Sequence, residues 1–440
     1  MKNYICILVI FISLKMNAQC FQKFSSNSSH SIVIKDDGTL WAWGKNSQSE
    51  VGVCNGQLPV FGPTQLSNQP VWTKVFTGSN KTFAIKNDGT LWACGNGSGG
   101  SLGTGNQNDV CTLTQIGTDV DWNEIYPGSG TIAKKNNGTL WGWGSNIYGQ
   151  LNIGTTSLQF TPVQISTETN WSKINMSLHT IALKNNGTLW ACGLNDKGQI
   201  GDGTQINRLN FVQIGSNNNW SDIASGYLGK QSYALKSDGT FWGWGYNESM
   251  IFGSGGNVLQ PIQLGTSNDW SKISGTNLGV VLTKQNGTLW YYSSSGFQQI
   301  GIDTNWVNIY GGFAHFFASK SDGTHWGYGS NQDGQLGLGS AITTTSVMTL
   351  FNCLAFLNVE EINPLVNLMI YPNPTNEYVF IENNSHKNIN KIYLTNINGK
   401  VLLEERNDFS KIYVGNFENG IYFLNISSEN ETFSYKIVKK

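Results

Sequence analysis

One phrase recurs seven times along this chain and limits what it can fold into: Asp or Asn, then Gly-Thr, then a bulky residue, then Trp. Its glycines are Gly38, Gly89, Gly138, Gly187, Gly239, Gly287 and Gly323, at spacings of 51, 49, 49, 52, 48 and 36 residues. A period near fifty signals stacked supersecondary units rather than unrelated domains. Asp-Gly and Asn-Gly suit the positive φ of a tight hairpin, so each copy marks a reversal between two strands. An alternating strand such as Ile181-Ala182-Leu183-Lys184 precedes the turn, and Thr188-Leu189-Trp190-Ala191-Cys192-Gly193 follows it. Trp171-Ser172-Lys173-Ile174 opens a unit, and Pro162-Val163-Gln164-Ile165 closes the one before. Four short strands per unit, seven units: the pattern predicts a β-propeller.

The tryptophans support this reading. Seven stand three residues after the turn glycine, three lie two residues further, and six open a unit, which accounts for all 16. Phe21 takes the opening position in the first copy. A Gly-rich loop separates the third and fourth strands, clearest as Gly334-Gln335-Leu336-Gly337-Leu338-Gly339. The sixth copy lacks it, because Ser293-Ser294-Ser295-Gly296 runs straight into Phe297-Gln298-Gln299-Ile300. The expected ring therefore has one notch.

These residues in combination resemble the regulator of chromosome condensation repeat. Its marks here are His-Thr-x-Ala-Leu-Lys, Asn-Gly-Thr-Leu-Trp-Ala-Trp-Gly-like strands and Gly-Gln-Leu-Gly-x-Gly, over roughly residues 19–350. The resemblance implies a seven-bladed propeller. The nucleotide exchange known in the family belongs to surface loops that have no residue-by-residue match here, so that activity is not carried over.

Both ends point to export. Lys2, the apolar run Tyr4 to Leu14 and the small-residue stretch ending at Ala18 read as a signal peptide over residues 1–18, cleaved between Ala18 and Gln19. The run is too short for a membrane span. After a connector at 352–363, residues 364–440 carry six or seven short strands, as a small β-sandwich would. This segment resembles the type IX secretion C-terminal sorting domain through Tyr371-Pro372-Asn373-Pro374, Asn398-Gly399 and Gly420-Ile421-Tyr422. The resemblance implies passage through the outer membrane by the type IX machinery and removal of the segment on arrival. The whole chain is thus expected to be all-β, with a seven-bladed propeller at 19–351 before a β-sandwich, and secreted or held at the outer cell surface.

No chemistry stands out. Charged residues make up only 12% of the chain, and residues 19–362 hold 17 basic against 20 acidic, so the basic footprint of a nucleic-acid binder is missing. Gly99-Gly100-Ser101-Leu102-Gly103 matches a nucleophile elbow, and Gly95, Gly97 and Gly100 a dinucleotide loop, but neither precedes a helical pattern. His30, His179 and His315 share one repeat position, eight residues before the turn glycine, which suits a hydrogen-bonded structural role better than a metal site. His325 and His386 have no evident partner. Asp196, Asp202 and Asp333 suit turns, since the calcium-loop spacing from Asn331 ends at Ile342 rather than Glu. No catalytic residue, metal or cofactor is expected. Cys94 and Cys192 read as buried thiols. Cys20 and Cys353 bracket the repeats and are expected to form a disulfide across the ring closure, with Cys54 and Cys111 as a second candidate pair.

The function expected is a binding or interaction module for an extracellular protein or glycan. The alternative is a propeller enzyme, a glycan-directed hydrolase or lyase. Facing carboxylates at the channel mouth would favour the enzyme; Asn, Ser and aromatic residues there would favour binding.

Overall fold

The computed structural model describes residues 21–439 except 227–228, 341, 352–367, 372–373, 384–388, 397–399, 407 and 429–430. The chain divides into two compact units, residues 1–356 and 357–440.

The first unit is seven four-stranded antiparallel sheets, each with its strands hydrogen-bonded in chain order. They span residues 21–67, 72–115, 122–166, 171–213, 220–263, 270–299 and 306–350, called blades one to seven. First strands adjoin one another all the way round, blade seven meeting blade one, and so enclose the central axis. Among the described residues no strand is exchanged between blades. Closure comes instead from hydrogen bonds such as Phe313 N to Ser28 O at 2.7 Å, and from Phe21, Trp43, Phe317, Leu336 and Phe351 packed in one buried cluster.

The repeated phrase builds the turn more finely than expected. Gly38 takes φ +79° but Asp37 does not, and Gly38 N donates to Lys35 O. This is a type I turn with a glycine bulge rather than a turn with two positive φ angles. The Asp is there for its side chain. Asp37 Oδ1 accepts from both N and Oγ1 of Thr39, and Trp41 Nε1 donates to Thr39 Oγ1 at 2.8 Å. The same Asx–Thr–Trp relay recurs in the fourth blade at Asn186, Thr188 and Trp190, and in the seventh at Asp322, Thr324 and Trp326. Glycine is required for a second reason: a Cβ on Gly187 would strike the carbonyl of Asn218 in the connection to the next blade.

The lysine three residues before each turn glycine completes the device. Lys184 Nζ lies 3.8 Å from the Trp190 ring centre and 4.9 Å from that of Trp171, and pairs with Glu168 at 2.7 Å. Lys86, Lys135, Lys236, Lys284 and Lys320 sit between the same two tryptophans of their blades. Partly desolvated, such cation–π contacts contribute on the order of 1–2 kcal/mol each. They weld the first strand to the second and third at one end of blades two to seven.

The second unit packs a three-stranded sheet (Leu368–Tyr371, Tyr378–Asn383, Lys411–Tyr413) against a four-stranded one. The latter is ordered Val401–Glu405, Ile389–Asn396, Gly420–Ser428, Glu431–Lys439. Val379, Ile392, Leu394, Leu424, Ile426 and Ile437 fill the space between them, as a small sandwich requires.

Candidate functional site

The core of the propeller is not one mass but seven layers, one between each pair of blades. Six of the seven layers are closed from the same end by the Gly-rich loop of the preceding blade. In blade seven, Asn331 organises that loop: its Oδ1 accepts from Leu336 N at 2.8 Å and its Nδ2 donates to Gly339 O at 3.0 Å. Asn46, Asn146, Asn195 and Asn247 are buried and do the same in their blades.

The loop then latches onto the next blade. Gln335 O accepts from Trp43 Nε1 and from Ser31 Oγ, both at 3.0 Å. Ser101 O accepts from Trp143 Nε1 and Thr131 Oγ1, and Gln199 O from Trp244 Nε1 and Ser232 Oγ. Where the sequence puts Cys at the Trp position, the thiol takes the same acceptor: Cys94 Sγ reaches Glu50 O and Cys192 Sγ reaches Gln150 O. Burial pushes the Cys94 thiol up to about 12 and raises that of Cys192 too, so both stay protonated donors. Tyr292 Oη donates to Ile251 O in the sixth case.

The seventh case has no loop. Blade six turns directly from Leu289–Ser293 into Gly296–Gln299, and the expected notch is present between blades six and seven. Tyr328 stands at the latch position, and its hydroxyl has no hydrogen-bond partner among the described residues. Phe316 replaces the Ser or Thr that donates to the loop from blades one to five, a column where blade six has Val280, and stacks on Tyr328 with ring centres 5.1 Å apart. Tyr291 replaces the Ala or Gly found elsewhere opposite the loop. What remains is a cleft of about 650 Å³. Tyr291, Phe316, Tyr328, Trp326 and Met348 line it, and the exposed aliphatic side chains of Leu278, Ile302 and Val347 stand at its rim. This layer holds five buried residues where the others hold seven to twelve, so it is the thinnest part of the core.

A second concavity, about 520 Å³, lies at the mouth of the central channel, where the hairpins joining first and second strands converge. Ser28, Ser129, Ser177, Ser225, Asn175 and Asn277 are among its lining, with Met176 and Phe313; its described lining is uncharged. Deeper, a belt of polar side chains ties neighbouring first strands together: Lys173 pairs with Asp222 at 2.7 Å, and Lys272 Nζ donates to Asn308 Oδ1 at 2.7 Å.

The histidines belong to the blade joints. His30 Nε2 lies 2.9 Å from Thr82 Oγ1, His179 Nε2 2.7 Å from Ser232 Oγ, and His315 Nε2 2.8 Å from Ser26 Oγ, each across to the next blade. Burial lowers their pKa to about 3, 4 and 3, with His315 adding to the effect on His30. His325 stacks on Phe21, and burial lowers it to about 4. No group of three metal-ligating side chains exists among the described residues. Ser101 is buried and donates to Asn96 O at 2.8 Å, after a single 3₁₀ turn at Ser98–Gly100, so the elbow geometry is not built. Asp202 accepts from Thr204 and pairs with Arg208 at 2.6 Å, a loop staple.

Of the cysteine pairs, Cys54 and Cys111 are joined, with Cα atoms 5.2 Å apart, so the loop of blade one is tied to the fourth strand of blade two. Cys20 and Cys353 lie outside the described residues, as do Ala18, Gln19, Pro372, Asn373, Asn398, Gly399 and His386. Tyr371 ends the first strand of the small sandwich, and the exposed Pro374 leads to Thr375, whose N donates to Val438 O at 2.8 Å. Gly420 opens the strand Gly420–Ser428, and Tyr422 Oη donates to Glu418 O at 2.8 Å.

The latch and the lysine–tryptophan clamp were not anticipated from sequence, although both leave a signal. The lysine recurs in all seven copies, and Phe316, Tyr291 and Tyr328 depart from their columns in the two copies that flank the missing loop.

Comparison with known proteins follows the same division. The regulator of chromosome condensation repeat matches residues 21–50, 137–178 and 177–199, and the secretion system C-terminal sorting domain matches residues 369–440. The chain is 28% identical to the RCC2 homolog of Danio rerio over 111 residues, 24% of this chain and 21% of that protein. It is 26% identical to the mouse regulator of chromosome condensation over 104 residues, 24% of this chain and 25% of that one. The matched region thus spans about a fifth to a quarter of those relatives. Among solved structures, human WBSCR16 aligns with a TM-score of 0.62 at 17% identity, over 71% of this chain and 93% of that one. Prp20p of Saccharomyces cerevisiae aligns with 0.57 at 17%, over 71% and 83%. At such identities the likeness concerns the fold alone. The chain therefore carries regulator of chromosome condensation repeats folded as seven propeller blades, followed by a secretion system C-terminal sorting domain.

Proposed function

We propose that this chain is an exported binding module, which the sorting domain sends through the type IX machinery and whose propeller takes a ligand in the cleft between blades six and seven. In this reading the signal peptide is cleaved after Ala18, and residues 19–351 are the delivered part. The cleft carries the argument. It is concave, floored by Tyr291, Phe316, Trp326 and Tyr328, rimmed by exposed aliphatic side chains and provided with the Tyr328 hydroxyl, the usual chemistry of a ligand seat. The serine- and asparagine-lined channel mouth also supports binding over hydrolysis.

The test is a screen of the purified chain against extracellular proteins and a glycan array, in parallel with a Val347→Asp variant. Val347 is 67% exposed, so the change leaves the fold intact. A ligand retained by the wild type and lost by the variant is the expected result. Ligands indifferent to Val347→Asp would move the site elsewhere.

A further inference from the structure

We infer that the occupant of this cleft is an exposed polypeptide turn carrying an aliphatic anchor side chain, supplied by a partner protein. The inference rests on the binding role proposed above and names the chemistry of the partner.

The other blade joints show what such a space accepts. At the joint of blades seven and one, Leu336 enters with no solvent exposure while the neighbouring carbonyl, Gln335 O, accepts from Trp43. Val51, Leu102, Leu151 and Ile200 enter their joints in the same way, equally buried. These five occupants are tight turns that each offer one aliphatic side chain to the joint, and the sixth, from blade five, offers Phe252; every one gives one carbonyl to the latch donor. The cleft is continuous with this series of joints and keeps the donor half of the pair, the Tyr328 hydroxyl.

The departures from the series define the fit. Tyr291 stands where Ala or Gly elsewhere makes room for the loop, so its ring raises the floor of the cleft. Its hydroxyl is held 3.2 Å from Thr276 Oγ1. Phe316 leaves no second hydroxyl for a carbonyl, so Tyr328 is the single latch. An incoming anchor then sits against Tyr291, Phe316 and Tyr328 with Val347 and Ile302 at its sides. An aliphatic rim around an aromatic floor suits a protein anchor residue, whose burial contributes most of the energy of a small interface. The polar side chains of the lining, Gln298, Gln299 and Ser346, are what a sugar would use instead, and the test separates the two occupants.

The probe is a cyclic peptide of sequence Asn-Gln-Asp-Gly-Gln-Leu-Gly-Leu-Gly, a copy of the blade-seven loop, titrated against the full chain by isothermal calorimetry. Exchanging its first Leu for Asp should weaken binding roughly tenfold or more, the usual effect of losing one buried aliphatic group. Tyr328→Phe should weaken it a few-fold with an unchanged melting temperature, and Tyr291→Ala should tighten it by opening the floor. Replacing residues 293–296 with the loop of blade four, which fills the cleft from within, should abolish it. The inference is overturned if the Leu-to-Asp peptide binds as well, or if binding survives the graft. A glycan whose binding is lost on the graft, with no effect of the peptide, would sink the peptide anchor and leave the cleft as the binding site. If no ligand of either kind responds to the graft, both readings fall.

Discussion

Six of the seven blade joints are filled by the chain itself, and one is left open. At the joint of blades one and two, the loop supplies the buried Val51 and the Glu50 carbonyl, and the Cys54–Cys111 bridge fastens it from outside. At the joint of blades six and seven no loop is present, and three aromatic residues cover what it would have covered. The two joints share their strands, their tryptophans and their lysine clamps. The difference teaches that strand pairing builds each blade, whereas the loops and latches bind blade to blade. A loop can be removed without opening the ring, provided aromatic side chains take over part of the burial.

The largest way to stress the filled joints is acid. His30, His179 and His315 are neutral when folded and titrate at about 3 to 4, against about 6.5 when unfolded. The unfolded chain therefore binds more protons, and stability present in full above pH 6.5 is lost as the pH falls from 6.5 towards 3–4. Each histidine contributes on the order of 3 kcal/mol to that loss. Urea unfolding across pH 4–7 should show it, and His315→Gln should remove about a quarter of the slope, since the buried His325 is lowered to about 4 as well. A flat profile would refute the buried-neutral assignment.

Truncation separates the two kinds of joint directly. Trp43→Ala empties a fully buried site and removes a latch, and should cost about 3–5 kcal/mol. Tyr328→Ala, at the same repeat position beside the open cleft, should cost about 1 kcal/mol, the ordinary scale for a partly exposed site. Equal losses in urea midpoint would show that the cleft is as tightly packed as the rest. Removing the Cys54–Cys111 bridge by a double change to Ser should cost about 2–4 kcal/mol, given a closed loop of 57 residues. Thermal melting with and without reductant measures it.

The smallest effect tunes a single loop. Glu50 stands where other blades carry Gln150, Gln199 and Gln335, and its buried Oε1 has no partner while Oε2 accepts from Gln48 N. Burial raises its pKa. In Gln150 and Gln335 the matching Nε2 donates to Ser129 Oγ and Ser330 Oγ. Glu50→Gln should therefore stabilise the joint by about 1 kcal/mol at pH 7, and the gain should shrink in acid as Glu50 itself becomes protonated.

The sequence by itself determined the number of blades, the order of strands, the place of every turn and the missing loop of blade six. Those features are local or periodic: a glycine bulge, an alternating strand and a repeat length are written within a few residues of where they act. The sorting segment was legible for the same reason, through motifs in fixed order. Which groups meet across a joint was decided only by the tertiary structure. The acceptor of Trp43 lies 292 residues away at Gln335, and Thr82 Oγ1 donates to the loop carbonyl of Glu50 in the blade before. Tyr291, Phe316 and Tyr328 read as ordinary strand residues until blade six is set beside blade seven. A cleft is the space between two elements, and neither element alone records it.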